Sequence, residues 1–174
     1  MPRNLLSHFI LLSSLLLHNT CWALQTDSQQ PIKVEADKAS IEKKSGTSTY
    51  NGNVVVRQGS MRISADTLII TTYQGKFQKM VAQGNPTTFQ QKTDSNHKTI
   101  SSSARKITFL ANKDIVIFEK NAVLKQGKNT FASNRIVYDI KVDQVNAGKK
   151  SGGDRVIITI QPANDKPGVP ANKP

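Results

Sequence analysis

The sequence predicts an all-β protein of stacked antiparallel strands, and three observations point to it. Apolar residues recur with period two, and β-branched residues dominate the apolar positions. Gly or Asn punctuates the pattern at the roughly ten-residue spacing of short strands joined by turns. One multi-strand segment then recurs 68 positions further along the chain. No credible helical periodicity lies between residues 24 and 160, the span we assign to a single domain.

Taken in order, the chain opens with a predicted signal peptide over residues 1–23. Arg3 supplies the positive n-region, and residues 5–17 form an apolar run broken only by three serines and His8. That run is shorter than the roughly 20 residues a membrane-spanning helix requires. Cys21-Trp22-Ala23 ends in the small residue a signal peptidase accepts, so cleavage is expected after Ala23. The bulky His18 and Asn19 do not fit a lipoprotein signal. Cys21 is the chain's single cysteine, so the mature protein is expected to hold neither disulfides nor thiolate chemistry.

Arg3 is the only charged residue in the signal, which leaves 23 Lys and Arg against 12 Asp and Glu, a net charge of +11. A field of that sign suits a phosphorylated amphiphile or an anionic membrane face. Export argues against nucleic acid, and no aromatic ladder is interleaved with the basic residues to stack bases.

In the body, Ile32-Lys33-Val34-Glu35-Ala36 alternates behind Pro31. Tyr50, Gly52, Val54 and Val56 fall on one face of the next strand, with mostly polar neighbours between them. After Gln58-Gly59 the apolar set resumes at Met61, Ile63 and Ala65, then changes parity to Leu68 and Ile70. A parity change without a loop predicts a corner or bulge at which the strand bends to keep its apolar side inward. Adding 68 carries Tyr50 to Phe118, Asn53 to Asn121, Val56 to Leu124, Arg57-Gln58-Gly59 to Lys125-Gln126-Gly127, Ile63 to Phe131 and Ile70 to Tyr138. Two such copies imply stacked rungs around a continuous apolar trough. The first strand, Ile32-Lys33-Val34-Glu35, and the last, over Val156, Ile157, Ile158 and Ile160, would leave unpaired backbone groups at each end of the stack. Beyond them, residues 161–174 carry Pro162, Pro167, Pro170 and Pro174 and read as a disordered tail.

Three segments in this order and spacing resemble the LptA (OstA-like) lipopolysaccharide export family. They are Gln30-Pro31-Ile32-Lys33-Val34-Glu35-Ala36-Asp37, Tyr50-Asn51-Gly52-Asn53-Val54-Val55-Val56-Arg57-Gln58-Gly59 and Ile63-Ser64-Ala65-Asp66. Ala82-Gln83-Gly84-Asn85-Pro86-Thr87-Thr88-Phe89 and Asn121-Ala122-Val123-Leu124 extend the resemblance to nearly the whole mature chain. It implies a twisted, open-ended β-jellyroll in the periplasm that binds the lipid A part of lipopolysaccharide. It also implies head-to-tail assembly that links an LptC-like inner-membrane component to an LptD-like outer-membrane component. Residues 73–79 lack an arginine that the family carries near there.

The side chains expected to line the trough are Ile32, Val34, Tyr50, Val54, Val56, Ile63, Leu68, Ile70, Phe89, Phe109, Phe118, Leu124 and Phe131. Phe89 and Phe109 fall between the two repeat copies, where rung-on-rung packing is expected to constrain them less. No catalytic constellation or cofactor motif emerges. His97 sits alone in the polar run Thr93-Asp94-Ser95-Asn96-His97-Lys98, without a second soft metal ligand nearby. Glu35 and Asp37 share a strand face but read as solvated rather than as an acid/base pair. Two rivals remain: an architectural module that polymerises through its strand edges without binding lipid, and an exported β-helical enzyme acting on acidic polysaccharide. The enzyme would need more rungs and a cluster of acids, which the sequence does not supply.

Overall fold

The structure is a computed structural model and describes residues 27–92, 99–148 and 155–161. The predicted signal, His97 and all of the tail except Gln161 lie outside the described residues. The described chain forms one antiparallel sheet of ten strands and only two three-residue 3-10 turns, Asp27–Gln29 and Ala111–Lys113.

Four strands are short: β1 (Lys33–Glu35), β2 (Lys38–Glu42), β9 (Gln144–Ala147) and β10 (Ile157–Thr159). Six are long: β3 (Thr47–Gln58), β4 (Met61–Tyr73), β5 (Lys76–Lys92), β6 (Thr99–Leu110), β7 (Ile115–Gln126) and β8 (Asn129–Asp139). Every pairing between consecutive long strands shifts register near its middle: at Asn51/Val54, Ser64/Thr67, Gln83/Thr87, Ser103/Lys106 and Glu119/Ala122. The bulges line up across the sheet, so it folds along one crease into two facing halves. One half has β1 and β10 as its edges, the other β2 and β9.

The crease is built by residues that tolerate left-handed backbone. Gly52 and Asn53 have φ of 81° and 47°, and their counterparts Lys120 and Asn121 have φ of 66° and 58°. At Gly52 a side chain would also run into the Asp37 carboxylate, which accepts a hydrogen bond from Asn53 Nδ2 at 2.9 Å. The repeat seen in the sequence is therefore a repeat of backbone. β3 and β7 share their limits at an offset of 68, and Gly59 and Gly127 both take positive φ in the following turn.

Alternation then decides the core. In β4 Met61, Ile63, Ala65, Leu68 and Ile70 are buried, and the switch from odd to even numbers falls at the Ser64/Thr67 bulge, as the parity change predicts. β6 makes the same switch, from Ile100 and Ala104 to Ile107 and Phe109, and β8 makes it from Ser133 to Ile136 and Tyr138. β7 instead buries even numbers throughout, Val116, Phe118, Ala122 and Leu124, because its bulge takes in two residues, Lys120 and Asn121. Each large apolar side chain buried between the halves contributes about 1.5–3 kcal/mol relative to exposure.

Candidate functional site

All thirteen side chains predicted to line the interior meet in the space between the two halves. Val54, Val56, Ile63, Leu68, Phe89, Phe118 and Leu124 are at most 2 % exposed, and Ile70 and Phe109 are also buried. Ile32, Val34, Tyr50 and Phe131 are half-buried and pack against that cluster from its margins. Sequence reasoning left out Met80, Ile100, Ile107, Val116, Ile136 and Tyr138, which belong to the same core. Their signal was the same period-two alternation, and Tyr138 already stood opposite Ile70 in the repeat.

Two expectations need correction. Among the described residues the centre of the interior is filled rather than hollow: Val56, Ile63, Leu68, Phe118 and Leu124 are 0 % exposed, while Ile32, Val34, Tyr50 and Phe131 at its margins stay partly accessible. Nor are Phe89 and Phe109 loosely held. Phe89 meets Phe118 edge to face, with ring centroids 5.4 Å apart and planes at 70°, and Phe109 lies 5.8 Å from Phe77. The Phe89 pair joins the two halves, since Phe89 belongs to the β1/β10 half and Phe118 to the β2/β9 half.

Opposite the crease, polar contacts fasten the strand ends. Gln126 Nε2, at the end of the β1/β10 half, donates to Asp143 Oδ1 at 3.0 Å, and Tyr138 Oη donates to the same oxygen at 3.1 Å. Asp143 lies in the turn between β8 and β9, so this clasp spans the two halves. On the N-terminal side, the 3-10 turn at Asp27–Gln29 straps down the β3–β4 turn. The Asp27 carboxylate accepts from Ser60 N at 2.7 Å, Ser60 Oγ at 2.6 Å and Gln91 Nε2 at 2.9 Å. Gln58 Nε2 donates to the Ser28 and Gln30 carbonyls.

The predicted assembly strands occupy the ends of the sheet order, β1 first and β10 last. Lys33, Val34 and Glu35 form β1, with Ile32 just before it; Ile157 and Ile158 lie in β10, with Val156 and Ile160 flanking it. Val156, Ile157, Ile158 and Ile160 are 37, 59, 51 and 72 % exposed, an apolar strip on an edge strand. The sequence did not reveal that β2 and β9 form a second pair of edges. Glu35 forms ion pairs with Lys33 at 3.0 Å and Arg57 at 3.1 Å. Hydrogen bonds from Lys33 and then Arg57 hold its carboxyl below the ordinary value. Glu35 and Asp37 thus have separate structural partners rather than each other.

The fold is a creased, open-edged β-jellyroll with an apolar inner face, and the comparisons with known proteins place the chain in a class of non-enzymatic transport proteins. Residues 33–144 match the family model described as LptA/(LptD N-terminal domain) LPS transport protein. The lipopolysaccharide export system protein LptA of Escherichia coli (strain K12) is 32 % identical over 173 residues, covering 95 % of this chain and 93 % of that protein. The crystal structure of LptH, the LptA homologous periplasmic component of the lipopolysaccharide transport device of Pseudomonas aeruginosa, superposes with a TM-score of 0.74 at 30 % identity. That match covers 79 % of this chain and 100 % of the other. A 77-residue stretch is 47 % identical to part of the LPS-assembly protein LptD of Vibrio cholerae, covering 44 % of this chain and 9 % of that protein. The chain belongs to the LptA family of lipopolysaccharide transport proteins.

Proposed function

We propose that this protein carries lipopolysaccharide across the periplasm, sheltering the acyl chains of lipid A between the two halves of its sheet. The observation that carries the reading is the gathering of all thirteen predicted side chains on one inner face, in a chain of this family. Each methylene taken out of water contributes roughly 0.8 kcal/mol, so a few acyl chains supply ample driving force. Release requires that no single contact dominate, and an inner face of many similar aliphatic and aromatic groups meets that need. Because the interior is packed shut in this structure, loading requires the halves to part along the edge opposite the crease. The reading takes residues 1–23 as a signal removed on export, 24–160 as the carrier domain and 161–174 as its tail. It pairs β10 of one copy with β1 of the next in head-to-tail assembly, with LptC-like and LptD-like components at the two ends.

Photocrosslinking tests it. A photoreactive residue at Tyr50 or Phe131, at the margin of the interior, should capture lipopolysaccharide through its acyl chains, and one at Thr49 or Val137 on the outside of the β2/β9 half should not. Equal capture at all four positions, or none at any, would leave the purely architectural reading in its place.

A further inference from the structure

The outside of the β1/β10 half carries a feature that the interior does not explain. One register row crosses it from edge to edge: Lys33, Arg57, Arg62, Gln90, Ser101, Lys125, Thr130 and Thr159 are successive cross-strand neighbours. Arg57 and Arg62 face each other directly, and like charges so placed destabilise a sheet unless something neutralises them. Glu35 pairs with Lys33 and Arg57 only. Arg62, Lys92 and Lys125 have no ion-pair partner among the described residues.

The surface is concave at these side chains. A hollow of about 350 Å³ lies between Arg62 and Lys125 and is lined by Thr88, Gln90, Ser101 and Ser103. A second, of about 290 Å³, shares Arg62 and Gln90 with the first and reaches Arg57, Lys92 and the β3–β4 turn at Gly59 and Ser60. No carboxylate among the described residues lines either hollow, although Asp27 and Glu35 border the second, held by Ser60 and Arg57. Arg62 and Lys125 are three strand spacings apart, roughly 14 Å, further than a single phosphate can bridge. The polar side chains between them are hydroxyls and an amide, which donate and accept hydrogen bonds but bring no charge, and Val123 and Phe89 add apolar surface to the same hollow.

We infer that this groove binds an acidic oligosaccharide, with Arg62 and Lys125 holding anionic groups at its two ends and the serine, threonine and glutamine side chains contacting sugar hydroxyls. The inference rests on the transport reading for its ligand source: the groove begins at the turn bordering the sandwich mouth, so a glycolipid with its chains inside can lay its sugars over that turn onto the outer face. A free anionic glycan has the same chemistry, and the test separates the two.

The probe is deacylated, lipid-free core oligosaccharide bearing phosphate and carboxylate groups, titrated by calorimetry into the full mature protein and into the Arg62→Glu/Lys125→Glu variant. Both residues are on the outer face, and circular dichroism checks that the variant keeps its fold. The expected result is saturable binding to the unsubstituted protein, at least tenfold weaker in the variant, with whole lipopolysaccharide weakened and lipid A without core sugars bound as before. Absence of oligosaccharide binding, equal binding by the variant, or equal competition by inorganic phosphate or neutral dextran overturns the inference. Loss of lipid A binding in the variant overturns it too, by moving the anion contact to the lipid's own phosphates. If oligosaccharide binds and depends on Arg62 and Lys125 while the unsubstituted protein takes up no lipid, the transport reading fails and the ligand is a free glycan.

Discussion

At the scale of single residues, the interior has two kinds of member. Phe89 is fully buried and bridges the halves through Phe118, so Phe89→Ala removes apolar contact from both and leaves a cavity. Chemical denaturation should register a loss of about 3–5 kcal/mol for that substitution. A loss under 1 kcal/mol would mean that the halves close without this pair. Tyr50 and Phe131 are half-buried at the margin and should tolerate replacement better. Glu35 tests the edge instead. Its carboxyl titrates below the ordinary 4.5 because Lys33 and Arg57 bond its ionised form. A depressed carboxylate contributes stability above its unfolded pKa and loses it as pH falls through the folded pKa, so the edge pairs weaken only in acid. An NMR titration should find the Glu35 midpoint below 4.5 and moved upward by Lys33→Ala. A midpoint unmoved by that change would remove Lys33 as the main cause.

Strands carry the assembly question. β10 pairs through one edge of its backbone with β8, and no strand among the described residues pairs with its other edge, beside which Ile157, Ile158 and Ile160 are exposed. Deleting residues 155–160 should turn concentration-dependent growth in light scattering into a constant monomer while leaving lipopolysaccharide binding largely intact. Growth that persists would place the joint at the β2 and β9 edges. The sequence showed β1 through the alternation of Ile32-Lys33-Val34-Glu35-Ala36 behind Pro31, and β10 through the β-branched run Val156-Ile157-Ile158-Thr159-Ile160 before Pro162. It hid β2 and β9 because Lys38–Glu42 is exposed throughout and Gln144–Ala147 has only Val145 and Ala147 as a pattern. The same limit applied at the crease. The β4 bend was legible from the parity change between Ala65 and Leu68, whereas the β3 and β7 bends were not, since Asn53 and Asn121 stand out in the sequence only as matching positions of the repeat. Lys120, a side chain with no preference for positive φ, gave no local sign that it sits in the bend. Alternation identifies inward side chains but not how closely facing halves approach, which is why an open trough was expected where the side chains fill the space.

For the whole molecule, the two halves are joined covalently along the crease, while Gln126 and Asp143 fasten them at the opposite side. If lipid enters where the halves part, that clasp must open, since Asp143 also holds Tyr138 of the core against the mouth. Both clasp side chains lie at strand ends rather than in the core, and Cys21 falls in the predicted signal, so cysteines placed at 126 and 143 would be the only two in the mature chain. Joining them with a short, reducible thiol linker should abolish uptake of labelled lipopolysaccharide without unfolding the protein, and reduction should restore it. Asp143→Ala should act in the other direction, loosening the mouth, costing about 1–3 kcal/mol of stability through the lost hydrogen bonds and speeding uptake. A linked protein that loads as fast as the unlinked one would show that chains enter along the open strand edges at β1 or β10, with the two halves still closed on each other.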